Sequence, residues 1–189
     1  MYVAAMAMTF GFLLPFYYLP LYAREVADLS PQDGAILVAI VNACSAIGRV
    51  VLGFAADHVG RMNSLCLCVF GGALSVLLWP LCTTYPTLVV FAACYGFFGG
   101  GFVSLMPVIL ADFWGTERLA GTIGLFLTSN VLGYFFGVTL GAKIYEESGN
   151  SFTFAALYSG GMMMVAFFGY LVVKFIRQPP LWCSLCKKK

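Results

Sequence analysis

Charge is what this sequence lacks most. Only 10% of its 189 residues are Asp, Glu, Lys or Arg, where an ordinary globular domain carries about 25%. A water-soluble chain of this length needs a charged shell, and too few charges are present to build one. Histidine occurs once, as His58. Without a His/Asp or Glu cluster, a nucleophile beside a base or a metal-ligand spacing, we expect no catalytic residue, no metal, no cofactor and no enzyme. A net charge of +2 gives no basic surface, so nucleic acid is not an expected partner. What the chain has is apolar bulk, a hydrophobic fraction of 61%. That excess has to face a lipid bilayer.

Cysteine is present but says little. Cys44, Cys66, Cys68, Cys82 and Cys94 lie inside apolar runs, where a thiol behaves as a small hydrophobe. Cys183 and Cys186 form a C-x-x-C with no second pair to complete a zinc site. Beside the basic tail they suit acylation, with inert thiols as the alternative.

The apolar residues fall into six runs of membrane length. A hydrocarbon core of about 30 Å takes roughly 20 residues as a helix, and we expect spans at 1–22, 33–56, 64–82, 86–111, 119–142 and 152–175. The runs are continuous rather than alternating, so helices rather than barrel strands are expected. The fold class expected is an all-α membrane protein in which residues 1–175 form one six-helix unit and 176–189 a cytoplasmic basic tail. The opening run lacks a basic start and an A-x-A site, and reads as a span rather than a cleavable leader. Lys and Arg set the orientation. One side collects Arg61, Arg118, Lys174, Arg177, Lys187, Lys188 and Lys189, and the other keeps Arg24 and Lys143. Both termini are therefore expected in the cytoplasm. A chain that begins almost directly in a span is expected to be part of a longer one.

The spans differ in character. Spans three and six carry no charge before Lys174 and suit lipid contact. Span five has Gly133, Gly137 and Gly141 at every fourth position, a ladder that lets helices approach closely. Span four carries Gly96, Gly99, Gly100 and Gly101, then Pro107, and is expected to bend. Pro15 and Pro107 fall at matching places of two three-helix units, the pattern of nested repeats with a site between them. Tyr17, Tyr18, Tyr22 and Trp79 read as interfacial anchors.

The residues that carry chemistry cluster on span two and the loop after it. Gly53, Asp57, Gly60 and Arg61 mark a helix end, a tight turn and a new helix start. Gly60 suits a backbone that a side chain resists, and Arg61 is a fixed cation with a bidentate fork. Together they can act as a gating clamp; a solvated turn with one inward arginine is the plainer reading. The run Gly53…Asp57…Gly60-Arg61 resembles the loop signature G-x-x-x-D-x-x-G-R of the major facilitator superfamily. The wider stretch from Asn42 through Ser45, Gly48 and Arg49 to Asn63 resembles the monocarboxylate porters, above all their fungal permease-like and riboflavin-transporter-like branch. So do Tyr95–Leu105 with Pro107, and Gly115, Glu117, Arg118, Gly121, Thr122 and Gly124 at the turn into span five. The resemblance covers nearly the whole chain, in the order of helices seven to twelve. It implies the C-terminal half of the fold, completed by a missing N-terminal six-helix half or by a second copy. His58 and Met62 depart from the signature's usual basic residues. Ser45 stands where animal porters tend to carry an acid, which leaves proton coupling through that position in doubt.

Arg49 is the chief candidate contact for a substrate. It lies seven residues before the expected helix end, about 10 Å deep, where lipid exposure costs roughly 2.5–3.5 kcal/mol or more. Asn42, Ser45, Arg49 and Gly53 share a helical stripe, expected to face protein or a water-filled cavity. A carboxylate suits the guanidinium fork; the alternative is an arginine that snorkels or pairs with Asp57. Asn130 and Tyr134 on span five are further substrate-contact candidates, with plain interhelical bonding as the alternative. Asp112, Glu117 and Arg118 are expected to cap helices and make an inner salt bridge. His58 reads as solvated, and Lys187–Lys189 as a contact for anionic lipid. The function expected is transport of a small organic anion of monocarboxylate type, with or without a proton, across the plasma membrane by alternating access. The alternative is a truncated, non-transporting membrane protein or a regulator of related transporters.

Overall fold

In a computed structural model, residues 1–115, 119–149 and 151–177 are described, along with every side chain in them except those of Leu119 and Arg177. The chain runs as α1 (Tyr2–Phe12), α2 (Leu14–Glu25), α3 (Pro31–Val59), α4 (Arg61–Leu78), a 3₁₀ turn (Trp79–Leu81), α5 (Tyr85–Trp114), α6 (Leu119–Glu147) and α7 (Phe152–Arg177). No strand occurs among the described residues. Among the described residues six rods are long and apolar enough to span a bilayer, α1 and α2 together counting as one. The polypeptide is therefore an all-α, multi-pass membrane protein. Most helices run a few residues past the expected spans, since polar residues at the ends can extend a hydrogen-bonded rod into the headgroup layer.

Helix starts follow local chemistry. At α3, Ser30 and Asp33 bond reciprocally: Asp33 N–H donates to Ser30 Oγ at 3.3 Å and Ser30 N–H to Asp33 Oδ2 at 3.2 Å. Pro31 fills the first position, where a missing N–H costs nothing. Thr84 and Thr87 cap α5 in the same way.

Packing is set by glycine. A Cβ at Gly96 or Gly100 of α5 would run into the backbone of Val41 or Ser45 of α3, and one at Gly48 into that of Phe97. The two helices thus lie backbone to backbone, which dispersion and close approach favour inside a bilayer. On the other flank, Gly133, Gly137 and Gly141 of α6 face Thr9, Phe10 and Leu14. This second ladder was legible in the sequence; the first lay hidden in a run of glycines.

Span one is broken and span four is not. The helix stops at Phe12 and restarts at Leu14, with Pro15 in the first turn of α2. In contrast, α5 passes through Pro107 without interruption, so the two prolines do not act as a matched pair.

Two further expectations are corrected by packing. Span three was expected to face lipid, but 56% of its central window is buried, as it is for α5. It lies against α5 and α7. The barest helices are α3 and α6, each 22% buried. Of the four supposed interfacial anchors, Trp79 and Tyr22 are 0% and 3% exposed, while Tyr17 is exposed. Tyr22 meets Trp79 at a centroid distance of 5.1 Å, and Tyr145 meets Phe152 at 4.7 Å. Trp79 then stacks on Phe91, and Phe91 on Tyr95, each with an interplanar angle of 9°. These rings tie α2, the 3₁₀ turn after α4, α5, α6 and α7 together at the end opposite Arg61.

Gly100→Ala should force α3 and α5 apart, with an overpacking cost of about 1–3 kcal/mol. Gly124→Ala, where nothing lies within 4 Å of the added methyl, should cost nothing. Melting of the two variants in detergent distinguishes them; equal melting temperatures would contradict the packing.

Candidate functional site

The joint between α3 and α4 is a single residue. Gly60 N–H closes α3 on the Ala56 carbonyl at 3.0 Å, and the Gly60 carbonyl receives Ser64 N–H at 3.0 Å to open α4. Its φ of +98° lies where side chains are strained. Arg61 follows at once, the first residue of α4.

The Arg61 guanidinium lies 2.5 Å from Asp112 Oδ1, near the end of α5, and 3.8 Å from Asp57 Oδ1, in the last turn of α3. Three helices are thus tied by one cation. The placement is unusual electrostatically. A cation sits at the positive end of α4 and an anion close to the negative end of α5, so each charge opposes its own helix dipole and is stabilised by the other. The Arg61 and Asp112 side chains are 41% and 44% exposed, and exposed pairs contribute little to stability. The clamp is suited to opening and closing rather than to holding the fold.

Asp112 makes the inner salt bridge expected of it, with Arg61, a partner the sequence did not name. Glu117 and Arg118, expected in the same network, lie outside the described residues, as do the Cys183–Cys186 pair and the lysine tail. The signal was weak: a lone acid on the same side as Arg61, 51 residues away. A groove of about 530 Å³ surrounds the clamp, lined by Asp57, Gly60, Arg61, Met62 and Asp112. A second of about 490 Å³ adjoins it along α3 and α5, passing Val50, Gly53, Phe54 and Ser104. No atom lies within 4 Å of a Cβ placed on Gly53, so that part of the α3 wall is open. His58 lies in the last turn of α3 and is exposed.

The stripe on α3 divides. Ser45 is 9% exposed and turned to α5, its backbone pressed against Gly100. Asn42 is exposed and returns its amide to the Val38 carbonyl at 2.9 Å. Arg49 is exposed, and among the described residues no acid or carbonyl pairs with it. Asp57, its expected structural partner, is engaged by Arg61.

On α6, Asn130 is 5% exposed with its Oδ1 unpartnered among the described residues. Tyr134 is half-buried and lines a pocket of about 440 Å³ with Leu13, Tyr17, Val131, Phe135 and Thr139. The fold does not gather these candidates into one cluster. α3 packs on α5 and α2, α6 packs on α1, and α1/α2 with α5 stand between them. Arg49 and Tyr134 therefore belong to two flanks of one side of the bundle. Metal-ligand clusters are absent among the described residues.

A glycine-linked helix pair carrying Asp57 and Arg61 inside a six-helix membrane unit is a specific arrangement, and residues 1–183 match the Major Facilitator Superfamily. The chain belongs to that superfamily. Among similar proteins, the aspyridones efflux protein of Emericella nidulans is 32% identical over 182 residues, which cover 92% of this chain and 37% of the relative. Monocarboxylate transporter 12 of Mus musculus is 28% identical over 93% of this chain and 36% of its own length. A major facilitator-type transporter of Ophiocordyceps is 28% identical over 98% of the chain and 41% of its own. The chain thus spans well under half the length of these major facilitator relatives.

Removing the carboxylate of Asp112 should loosen the inner clamp more than removing that of Asp57, because the first is the nearer partner. The exchanged pair, Arg61→Asp with Asp112→Arg, should restore the bridge with both charges now matched to their helix dipoles. Melting temperature in low salt reads this out. A swapped pair no more stable than either single variant would contradict the geometry.

Proposed function

We propose that this chain is the C-terminal half of a secondary transporter that moves a small organic anion across a membrane by alternating access, with Arg49 as the anion's contact and Asp57–Arg61–Asp112 as the inner gate. The observation that carries the reading is Arg49 itself. It lies ten residues before Val59, the last residue of α3, about 15 Å along the helix. A cation at such depth is strongly disfavoured against lipid, yet nothing in this chain neutralises it among the described residues. It has to look onto water, an anion or a covering protein.

Support for a covering half comes from length, since the relatives are more than twice as long as the stretch they share with this chain. The bare faces of α3 and α6 are the surfaces such a half would meet. In this arrangement Arg49 and Asn42 line one flank of a central cavity and Asn130 with Tyr134 the other, while Ser45 stays behind them against α5. A solute lying between them would be held by its carboxylate on the α3 side. The names of the relatives, an aspyridones efflux protein and a monocarboxylate transporter, fit organic solutes of this general kind. The Arg61 end we place in the cytoplasm from the excess of Lys and Arg there, and the plasma membrane is the address we propose.

Charge-assisted hydrogen bonds are worth about 1.5–3 kcal/mol, on the order of ten- to hundredfold in affinity. Arg49→Ala in the full-length protein should therefore lower flux of labelled monocarboxylates by at least that factor, with the amount of protein at the membrane unchanged. Normal flux in that variant would refute the assignment, and absence of flux in the wild type for every organic anion tried would favour a non-transporting protein.

A further inference from the structure

The break between α1 and α2 leaves the Gly11 and Phe12 carbonyls in the interior without their helical donors. Pro15 has no N–H for the Gly11 carbonyl four residues earlier. The Phe12 carbonyl would take Phe16 N–H in a continuous helix, but no such bond forms across the interruption at Leu13. Both carbonyls are instead met by side chains from other helices. Ser159 Oγ–H of α7 donates to Gly11 O at 2.6 Å, and the Tyr95 hydroxyl of α5 donates to Phe12 O. Ser159 is 0% exposed and Tyr95 1%.

The two bonds look alike and differ in kind. No conformation of the backbone can give Gly11 O a donor at position 15, so Ser159 is needed whether the span is broken or straight. Phe12 O does have an alternative donor, the Phe16 amide, which reaches it only when the helix straightens. A carbonyl has two lone pairs, but a first bond to a buried, bare oxygen is worth more than a second to one already satisfied; the Tyr95 hydroxyl therefore stabilises the broken form, where Phe12 O has no backbone donor, more than the straight one.

We propose that Tyr95 is a positioning residue that acts as a latch on the α1–α2 joint, favouring the broken conformation by supplying the donor that the Phe12 carbonyl loses there, while Ser159 supports both conformations equally. The joint matters for the face described above. Leu13 at the break and Tyr17 one turn into α2 form one wall of the pocket whose other wall carries Tyr134, Phe135 and Thr139 of α6. Straightening the span would shift that wall. The latch is also backed by the column of rings that ends at Tyr95, with Phe91 stacked on it and Phe12 and Phe16 at 6.0 and 5.5 Å. This column fixes where the hydroxyl points. The latch is a property of the joint and stands whether or not Arg49 contacts an anion.

Hydrogen exchange of the amides in residues 13–19, measured on the full-length protein in lipid nanodiscs, tests the latch. Tyr95→Phe keeps the ring and removes only the hydroxyl; it should leave Phe12 O bare in the broken form, shift the joint towards the straight form in which Phe16 N–H meets it, and slow exchange in this segment several-fold. Ser159→Ala should lower the melting temperature without slowing that segment. Phe16→Pro removes the competing amide, so adding Tyr95→Phe to it should change nothing at the remaining amides. Unchanged or faster exchange in a folded Tyr95→Phe protein would overturn the proposal. So would slowing by Tyr95→Phe that persists in the Phe16→Pro background, or equal slowing by Ser159→Ala.

Discussion

A bilayer offers no water to a stranded peptide group, and each one left unpaired costs roughly several kcal/mol. That constraint makes every span a helix here, and it explains where the chain departs from helix. Among the described residues the one interruption inside a span sits at Leu13, and the Gly11 and Phe12 carbonyls stranded there are met by Ser159 and Tyr95. The other departures lie at helix ends, where Ser30, Thr84 and Gly60 close the ladder with side chains or a shared residue.

Because lipid tails are as apolar as leucine, burial of apolar surface cannot hold these helices together as it does in water. Close approach does it instead. Gly48, Gly96 and Gly100 bring α3 and α5 into backbone contact, and Gly133 with Gly137 does the same for α6 and α1. Large rings then fill the opposite end, around Trp79, Tyr22 and Phe152. The result is a bundle held tightly between neighbours, with α3 and α6 left bare on their outer faces.

Polar groups play two parts. Some hold the bundle from within, buried and hydrogen-bonded, such as Ser159 and Tyr95. Those assigned to transport are exposed, lie at a helix end, or keep an atom unpaired, such as Arg49, Asp57, Arg61 and Asn130. A moving protein needs both kinds: contacts that persist through the cycle, and contacts weak enough to exchange. The clamp on Arg61 belongs to the second kind, since water screens it on its exposed side.

The sequence by itself determined the class of the protein. Six long apolar runs with few charges can only be membrane helices, and the spacing of Gly53, Asp57, Gly60 and Arg61 was enough to name the superfamily that residues 1–183 match. Periodicity also exposed the glycine ladder of α6, because residues four apart share a helix face. Pairing between helices was beyond its reach. That Arg61 takes Asp112, that Trp79 leaves the interface for the interior, and that Pro15 breaks its span while Pro107 does not all depend on residues brought together from distant parts of the chain. A proline's effect is decided by which donors and which neighbouring backbone surround it. Those neighbours exist only once the bundle has formed.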